Sequence, residues 1–254
     1  MCLVALAWKT HPRWRLVLAG NRDEHYARPT AALARWPDAA VLAGRDLRSG
    51  GTWMGLAPGG RVAVVTNVRH GLPSPFPGPS RGALPVDFLT ARTDAAAHAE
   101  ALAARAATYA PFNLLLADAG HCAYVGNHPA SGAQAITAGV HGLSNGAFDA
   151  DWPKTRALRA TLRHWVEAGD DSLQPLWDAL ADTRIAADAE LPDTGIGLAL
   201  ERPLSAAFVR QPGYGTRAST LILVGHDGNA RIHERSFDAA GRCTGETRLA
   251  LPPT

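Results

Sequence analysis

The sequence has few cysteines and almost no lysine, and these absences narrow the classes of protein it can be. Its three cysteines, Cys2, Cys122 and Cys243, are odd in number and widely spaced. This pattern fits neither a disulfide framework nor a zinc-ligand pair, so a reducing compartment, the cytoplasm, is expected. Lysine occurs only as Lys9 and Lys154, while arginine is abundant. Such a bias is typical of genomes rich in G and C and suggests a bacterial source.

The chain also lacks long hydrophobic runs and an excess of charge of one sign. No apolar segment approaches the roughly 18 to 20 residues that span a bilayer, so no membrane span is expected. The first apolar run has no basic residues before it and no small-residue cleavage site, which argues against a signal peptide. The formal net charge is +2 and the arginines are dispersed, so nucleic-acid binding has little support. The ten histidines have no zinc-ligand context with acids or cysteines, and no metal site is predicted.

The composition that remains is that of a globular protein, 46% hydrophobic and 19% charged, and it fits one domain over residues 1–254. Short apolar runs that end in turn residues predict strands, and the tight turns between them predict antiparallel pairing. The predicted strands are 3–8, 15–20, 51–56, 61–68, 112–117, 122–126, 135–140, 216–224, 230–237 and 245–251. The predicted helices are two short ones within 86–109, a longer one over 152–168, and a further one over 172–181. This order predicts an α+β fold with antiparallel sheets covered by helices.

Residues 71–85 hold five prolines and three glycines, which exclude both a helix and a central strand. The segment is predicted to be a surface loop, either a lid over a pocket or a plain excursion. The chain contains no GxGxxG, P-loop, HExxH or GxSxG motif. Common nucleotide, zinc-protease and serine-hydrolase signatures are therefore absent.

Cys2 is the residue with the most direct chemical implication. Its small side chain makes removal of Met1 expected, which would leave a thiol and a free α-amine on one residue. An unperturbed α-amine titrates near ~8 and a thiol near ~8.5, so near neutral pH the amine can take the proton that makes the thiol nucleophilic. The alternative is a structural cysteine in a core strand, since free cysteine is among the most buried residue types. Position alone favours that alternative.

Four polar residues, Asn21, Arg22, Asp23 and Glu24, follow the predicted strand 15–20. A hairpin would place them near the start of the strand that begins at Cys2. A carboxylate such as Asp23 would orient the N-terminal ammonium, while Arg22 could stabilise a thiolate or bind a carboxylate. The alternative is a solvated strand end with internal ion pairs.

This motif resembles the one that gives the NRDE family its name, a family that includes the transport and Golgi organisation 2 proteins. Ordered matches run through the whole chain, namely Met1-Cys2, LVLAGNRDEHYARPT, LAGRDLRSGGTWMG, VTNVR, Ser80-Arg81-Gly82, FNLLLAD, HGLSN, Asp151-Trp152-Pro153-Lys154, LPDTG and YGTRASTLIL. The family is similar, more remotely, to N-terminal-nucleophile hydrolases of the penicillin V acylase and bile salt hydrolase branch. The resemblance implies an αββα sandwich of two antiparallel sheets between helical layers.

By this resemblance Cys2 takes the nucleophile position and Asp23 matches an aspartate of those hydrolases. Their arginine usually precedes that aspartate by three positions, where this chain has Gly20. The resemblance therefore offers Arg22 as a substitute for the arginine of the hydrolases.

Two asparagines and a late arginine complete the candidate site that the resemblance implies. Asn67 and Asn145 each follow a predicted strand, where a side-chain amide could donate a hydrogen bond to a developing oxyanion. A turn role is the alternative for each asparagine. Arg217 resembles the late arginine near the nucleophile and could lower the pKa of the thiol by its charge. Its alternative is an exposed position at a strand end.

Two classes of function follow from these candidates. The first is a cysteine amidohydrolase or acyltransferase that acts on a small amide, thioester or acyl substrate through Cys2, with no cofactor required for the chemistry. The second, implied by the resemblance alone, is a non-catalytic protein that binds and traffics haem, acyl-CoA or lipid on the same fold. A small-molecule ligand or substrate is expected in both cases.

Overall fold

The structure is a computed structural model that describes residues 2–72, 75–169 and 171–253. Its strands are β1 (Cys2–Trp8), β2 (Trp14–His25), β3 (Thr30–Arg35), β4 (Leu42–Asp46), β5 (Met54–Ala57), β6 (Arg61–Asn67), β7 (Phe112–Ala117), β8 (Cys122–Gly126), β9 (Gly132–Ala135), β10 (Gly139–Leu143), β11 (Arg210–Gln211), β12 (Tyr214–Gly225), β13 (Ala230–Phe237) and β14 (Cys243–Leu251). Its α-helices are α1 (Ala83–Thr90), α2 (Ala95–Ala103), α3 (Pro153–Ala168), α4 (Gln174–Leu180) and α5 (Leu198–Leu204). Short 3₁₀ turns lie at Pro58–Gly60, Ala106–Thr108 and Asp188–Glu190.

The strands form two antiparallel sheets. The first has the order β10-β1-β2-β12-β13-β14, with β11 paired to β12. The second runs β3-β4-β5-β6-β7-β8-β9, so that strands adjacent in the chain are also adjacent in space. In the first sheet, β1 lies between β10 and β2, and β2 lies between β1 and β12. The strand that carries Cys2 is therefore held on both sides.

Apolar side chains on both faces of each sheet define four layers. Successive side chains of a strand point to opposite faces, so β1 places Val4 and Leu6 between the sheets and Leu3 and Ala5 under the helices. One core cluster lies between the sheets, a second joins the second sheet to α1 and α2, and a third joins the first sheet to α3 and α4. This is the αββα sandwich that the resemblance implied. In the described part of the chain, no helix is both long and apolar enough to cross a membrane.

The strand prediction was wrong in three places. Strand β2 continues through His25, so the NRDE motif lies inside the strand, because pairing with both β1 and β12 keeps its backbone extended. Strands β3, β4 and β11 and helix α5 were not predicted. The single strand predicted over 135–140 is two strands, β9 and β10, separated by residues 136–138.

The proline-rich segment forms a shorter loop than predicted, because helix α1 begins at Ala83. Pro73 and Ser74 lie outside the described residues. Before them, the backbone N–H of Gly71 donates to the carbonyl of Thr194 at 2.7 Å. This end of the loop is thus tied to the segment that precedes α5.

Candidate functional site

A cavity of about 150 Å³ opens at the start of β1, where β2, β6 and the residues before α1 meet. Four of the predicted site residues line it, namely Cys2, Arg22, Asp23 and Asn67. The sequence separates these side chains by up to 65 positions, and the pairing of the strands brings them together. A single pocket therefore contains a thiol, a guanidinium, a carboxylate and an amide.

Cys2 is buried, and it lies directly opposite Arg22 in the β1–β2 ladder. Its side chain points between the sheets, on the same face as Val4. Burial raises the pKa of the Cys2 thiol, and the positive charge of Arg22 offsets only part of that effect. The thiol therefore needs a proton acceptor before it can react. Removal of Met1, which would supply that acceptor as an α-amine, concerns a residue outside the described part of the chain.

Asp23 is buried beside the beginning of β1, and its carboxylate accepts a hydrogen bond from the Thr216 hydroxyl at 2.7 Å. The hydroxyl of Tyr214 donates to the Asp23 backbone carbonyl at 3.0 Å. Burial raises the pKa of the Asp23 carboxyl, while the ammonium of Lys154 opposes the shift most strongly among the charged groups nearby. Asp23 thus has a fixed orientation at the end of the strand that carries the thiol.

Arg22 supplies the guanidinium beside Cys2, whereas position 20, two residues earlier in β2, is a glycine with little room for a side chain. A Cβ on Gly20 would lie 2.9 Å from both the Leu3 carbonyl oxygen and the Met54 methyl carbon. Arg22 points to the same face two residues further on, with its guanidinium 4.5 Å from the Trp53 ring centre. Its Nη1 donates to the Thr30 hydroxyl, and its Nη2 lies 3.2 Å from an Asp46 carboxylate oxygen. The guanidinium near the thiol is therefore held rigidly.

The two asparagines have different positions. Asn67, the last residue of β6, lines the cavity, whereas Asn145 is fully buried behind it. The Nδ2 group of Asn145 donates to both the backbone carbonyl and the Oδ1 atom of Asn67, at 2.9 and 3.0 Å. Because its Oδ1 is the acceptor, Asn67 turns its own Nδ2 away from Asn145, and this group donates to none of the described residues. Asn67 is the amide that can donate into the cavity, and Asn145 orients it.

The residue before Asn145 ties this network to the nucleophile strand. The hydroxyl of Ser144 donates to the Cys2 carbonyl at 3.0 Å, and the Ser144 carbonyl accepts from the Thr66 hydroxyl at 2.7 Å. Ser144 and Thr66 are both buried. These bonds join the ends of β1 and β6 and fix the separation between the thiol and the Asn67 amide.

Arg217 does not line the cavity in the described structure, contrary to the sequence prediction. It lies at an irregularity in the β2–β12 ladder between Thr216 and Ala218, where one extra residue redirects its side chain. Its Nη1 donates to the backbone carbonyls of His25, Tyr26 and Arg28 at 3.0 to 3.2 Å. Arg217 stabilises the turn that follows β2.

Two residues near the thiol were not assigned a role from the sequence. Arg81 lines the cavity, and its Nη1 donates to the Pro111 carbonyl at 2.8 Å. Burial lowers the pKa of Arg81, and the negative charge of a Cys2 thiolate is the largest influence that opposes this shift. Lys154, at the start of α3, is buried behind Asp23, and its Nζ donates to the Leu204 carbonyl at 2.9 Å. Both residues lie in family motifs, Ser80-Arg81-Gly82 and Asp151-Trp152-Pro153-Lys154. Their place in these motifs was the only indication in the sequence that they lie near the site.

Three possible metal ligands meet away from this cavity. The ligand atoms of Asp94, Asp118 and His121 lie within 4.8 Å of one another. This cluster differs from the expectation that no histidine lies among acids or cysteines. However, the carboxylate of Asp118 accepts hydrogen bonds from the backbone N–H groups of Ala95, Gly120 and His121, at 2.6 to 2.9 Å. These bonds join the β7–β8 turn to the start of α2.

Comparisons with known proteins agree with this architecture. A family model described as Transport and Golgi organisation 2 matches residues 1–239. The Transport and Golgi organization protein 2 homologs of Bos taurus and Homo sapiens are 34% and 32% identical over 262 aligned residues, with 93% of each chain covered. These animal relatives conflict with the bacterial source that the arginine-rich composition suggested, because base composition biases the choice between arginine and lysine without fixing lineage.

Solved structures show the same fold. The C2A mutant of conjugated bile acid hydrolase from Clostridium perfringens aligns with a TM-score of 0.53 at 8% identity, over 99% of this chain and 92% of that chain. An N-acylethanolamine-hydrolyzing acid amidase ortholog from Caenorhabditis elegans aligns with a TM-score of 0.51 at 11% identity, over 87% and 92%. At these identities the likeness concerns the fold alone. With the family model matched over residues 1–239, the chain belongs to the Transport and Golgi organisation 2 family and has an N-terminal-nucleophile hydrolase fold.

Proposed function

We propose that the chain, after loss of Met1, is an acyl-transfer enzyme that uses Cys2 as its nucleophile. The observation that carries the proposal is the cavity itself, which places the Cys2 thiol together with Asp23, Arg22 and Asn67. A buried structural cysteine would need no such polar surroundings. The solved proteins that share the fold include two whose names describe hydrolases of acyl conjugates, which supports the same class of reaction.

In the proposed reaction the thiol proton moves to the α-amine as Sγ bonds to the carbonyl carbon of an amide or thioester. The carbonyl oxygen becomes an oxyanion. When the C–N or C–S bond breaks, the resulting ammonium returns the proton to the leaving group, and the acyl group remains on Cys2 as a thioester. Water or a second acceptor then cleaves this thioester and restores the thiol. A hydrolase and an acyltransferase differ only in that last acceptor.

Each polar residue of the cavity has a role in this sequence. Asp23 orients the α-amine, and the charge of Arg22 favours the thiolate over the thiol. The Nδ2 group of Asn67 donates to the oxyanion, and Asn145 holds it in place. Removal of one oxyanion donor costs on the order of 10²- to 10³-fold in kcat in enzymes of this kind.

The size of the cavity favours a small reactive group. About 150 Å³ is below the roughly 300 Å³ at which pockets begin to enclose a drug-sized molecule. A small acyl group fits inside, whereas a long molecule must enter by its reactive end. A haem macrocycle would not fit in this cavity, so the haem-trafficking alternative would have to use another surface.

Intact-mass spectrometry after incubation with p-nitrophenyl acetate tests the proposal. Cys243 is exposed and would react without a site, so the experiment uses the Cys243→Ser background. Burial raises the pKa of Cys122 to about 12, so this thiol stays protonated and serves as an internal control. We expect one acetyl group on Cys2 in the protein that has lost Met1, and none after Cys2→Ala.

Two results would contradict the proposal. The first is an unmodified Cys2, together with no release of p-nitrophenolate above that of the Cys2→Ala variant, in protein whose N-terminal residue is shown to be cysteine. The second is undiminished binding of acyl-CoA or haem by the Cys2→Ala variant together with absent acylation, which would favour the carrier alternative.

A further inference from the structure

The cavity contains a guanidinium that is not matched by a carboxylate. Arg22 and Arg28 both bind Asp46, with Nη2 of Arg22 at 3.2 Å and Nε of Arg28 at 2.5 Å from its Oδ2. Arg81, in contrast, forms no ion pair within 4 Å with any described residue, and its one hydrogen bond to them goes to the Pro111 carbonyl. A half-buried guanidinium of this kind retains most of its hydrogen-bonding capacity for a ligand.

Two neutral donors of the cavity have no acceptor among the described residues either. The Ser80 hydroxyl oxygen accepts from the backbone N–H of Gly82 at 3.2 Å, which leaves the hydroxyl proton available. The Nδ2 group of Asn67 is the second donor, for the reason given above. Ser80, Arg81 and Asn67 all line the cavity, and each carries a donor that has no acceptor among the described residues.

Three carboxylates line this volume, and each is already compensated by other groups. Asp23 accepts from the Thr216 hydroxyl and lies near the ammonium of Lys154. Asp46 accepts from Arg22 and Arg28, and also from the backbone N–H and hydroxyl of Ser49. Glu24 lies 3.8 Å from Arg22 and 3.7 Å from Arg28. An anion bound at Arg81 therefore meets carboxylates whose charge is compensated nearby.

We propose that Arg81, assisted by Ser80 and Asn67, binds an anionic group of the ligand, a carboxylate or a phosphate, beside the Cys2 thiol. A guanidinium pairs with either group through two parallel hydrogen bonds. The bond to Pro111 fixes the direction in which Arg81 presents its remaining N–H groups. As a statement about substrate this inference rests on the proposed function, and it specifies that function as acyl transfer from acidic compounds.

The cavity volume adds a constraint on such a compound. The anionic group and the reacting carbonyl must share about 150 Å³. Only a few bonds can therefore separate them, and the rest of a longer ligand must extend out of the opening. A neutral long-chain amide lacks the group that Arg81 binds.

Alkylation of Cys2 tests the anion site without any need for catalysis or for removal of Met1. The reagents are iodoacetate, which carries a carboxylate, and iodoacetamide, its neutral analogue. In both reactions Sγ bonds to the methylene carbon, the C–I bond breaks, iodide leaves and the thiol proton goes to solvent. Peptide mass spectrometry gives the rate at Cys2 and, in the same sample, at exposed Cys243.

We expect the iodoacetate-to-iodoacetamide rate ratio at Cys2 to exceed that at Cys243 by about tenfold, which corresponds to about 1.4 kcal/mol. Arg81→Gln should lower the rate ratio at Cys2 to a value close to that at Cys243. Arg81→Lys should retain part of the preference of Cys2 for iodoacetate, because the positive charge remains. Arg163→Gln changes the net charge equally on exposed α3 and should leave the ratio unchanged. Protection of Cys2 from iodoacetamide by inorganic phosphate or by acetate identifies the preferred anion.

Three outcomes would overturn the inference. They are equal ratios at the two cysteines, a preference that survives Arg81→Gln in protein with an unchanged thermal unfolding curve, and a Cys2 that neither reagent reaches. Because alkylation and acylation are independent, a positive ratio without acylation would leave the anion site in place and refute only the enzyme. Acylation of Cys2 without a preference for iodoacetate would support the enzyme and refute only the anion site.

Discussion

Asp46 binds two of the cavity's guanidinium groups. Replacement of its carboxylate by a neutral amide tests how much this negative charge contributes to the stability of the site. Asp46 is buried at the end of β4, where its Oδ2 faces both Arg22 and Arg28. Asp46→Asn keeps the shape of the side chain but removes its negative charge. The atom that then faces the arginines is either an amide NH₂, which cannot accept a hydrogen bond, or a neutral carbonyl oxygen. Two guanidinium groups then lose the nearer of their two counter-ions, while Glu24 remains 3.8 Å from Arg22 and 3.7 Å from Arg28.

The expected loss of folding stability in Asp46→Asn follows from the burial of its two arginine partners. Removal of one partner from a buried ion pair costs about 3 to 5 kcal/mol. Arg22 is almost fully buried, but 27% of the Arg28 side chain is exposed, so solvent compensates part of the loss and the lower end applies. We expect about 3 kcal/mol, which for a chain of this size lowers Tm by roughly 6 to 12 °C.

The pH dependence separates the charge from a packing effect. Burial raises the pKa of Asp46, but the hydrogen bonds from Arg28 and Ser49, together with the charge of Arg28, outweigh it and hold the pKa below its usual value. A depressed carboxyl pKa stabilises the folded state above the unfolded-state value of about 3.9, and this stabilisation is lost as the pH falls through the folded-state pKa. The difference between wild type and Asp46→Asn should therefore be full at neutral pH and shrink below about pH 4.

The free energies of unfolding of wild type and Asp46→Asn are measured by urea unfolding at neutral pH and at several acidic pH values. Asp38→Asn is the matched control, because the Asp38 carboxylate binds Arg45 through both oxygens but is exposed to solvent. It should lose far less stability than Asp46→Asn. Equal losses in the two variants, or a loss at Asp46 that persists unchanged in acid, would refute the reasoning.

Three further predictions concern single positions. Gly51→Ala should cost roughly 1 to 3 kcal/mol or more, because a Cβ there would lie 2.2 Å from the Gly82 carbonyl oxygen, a backbone atom beside the cavity. Asn145→Ala should cost about 1 to 3 kcal/mol in urea unfolding, since both acceptors on Asn67 lose their donor, and it should slow acylation of Cys2. Burial raises the pKa of Glu234 to about 7 from an ordinary 4.5, so wild type loses stability as the pH rises through this window. Glu234→Gln should remove that dependence, a difference of about 3 kcal/mol between pH 4 and pH 8.

Each of these changes has a control in the same chain. Gly132→Ala places its Cβ in open space and should be close to neutral. Asn229→Ala removes an exposed amide, and Glu167→Gln removes an exposed carboxylate on α3. If a site variant behaved like its control, the contact assigned to that site residue would be wrong.

The sequence predicted elements best where local chemistry agrees with tertiary packing. Strands β7, β8 and β13 and the body of α3 have the predicted bounds within a residue, since each combines an apolar pattern with a clear turn or cap. The NRDE segment shows the opposite case. Its four polar residues signal the end of a strand, yet backbone pairing with β1 and β12 on either side keeps it extended.

The site residues divide in the same way. Cys2 could be named from its position after Met1, Arg22 and Asp23 from the polar run after a predicted strand, and Asn67 from the family resemblance. The structure places all four around one cavity. The direction of Arg217 could not be predicted, because a single-residue bulge in the β2–β12 ladder decides it. The bulge depends on pairing between residues almost two hundred positions apart, which no local pattern contains.

The crowding at Gly20 also constrains where along β2 this chain could carry the charged group of its cavity. A side chain at that position would meet the Met54 methyl group and the carbonyl of Leu3. The Met54 methyl is the end of a flexible side chain and can yield, but the Leu3 carbonyl is backbone, so an arginine at position 20 requires the start of β1 to move. Moving the guanidinium from position 22 to position 20 therefore requires a change of backbone position in addition to the exchange of side chains. Substitution of Gly20 by arginine alone is expected to destabilise the fold.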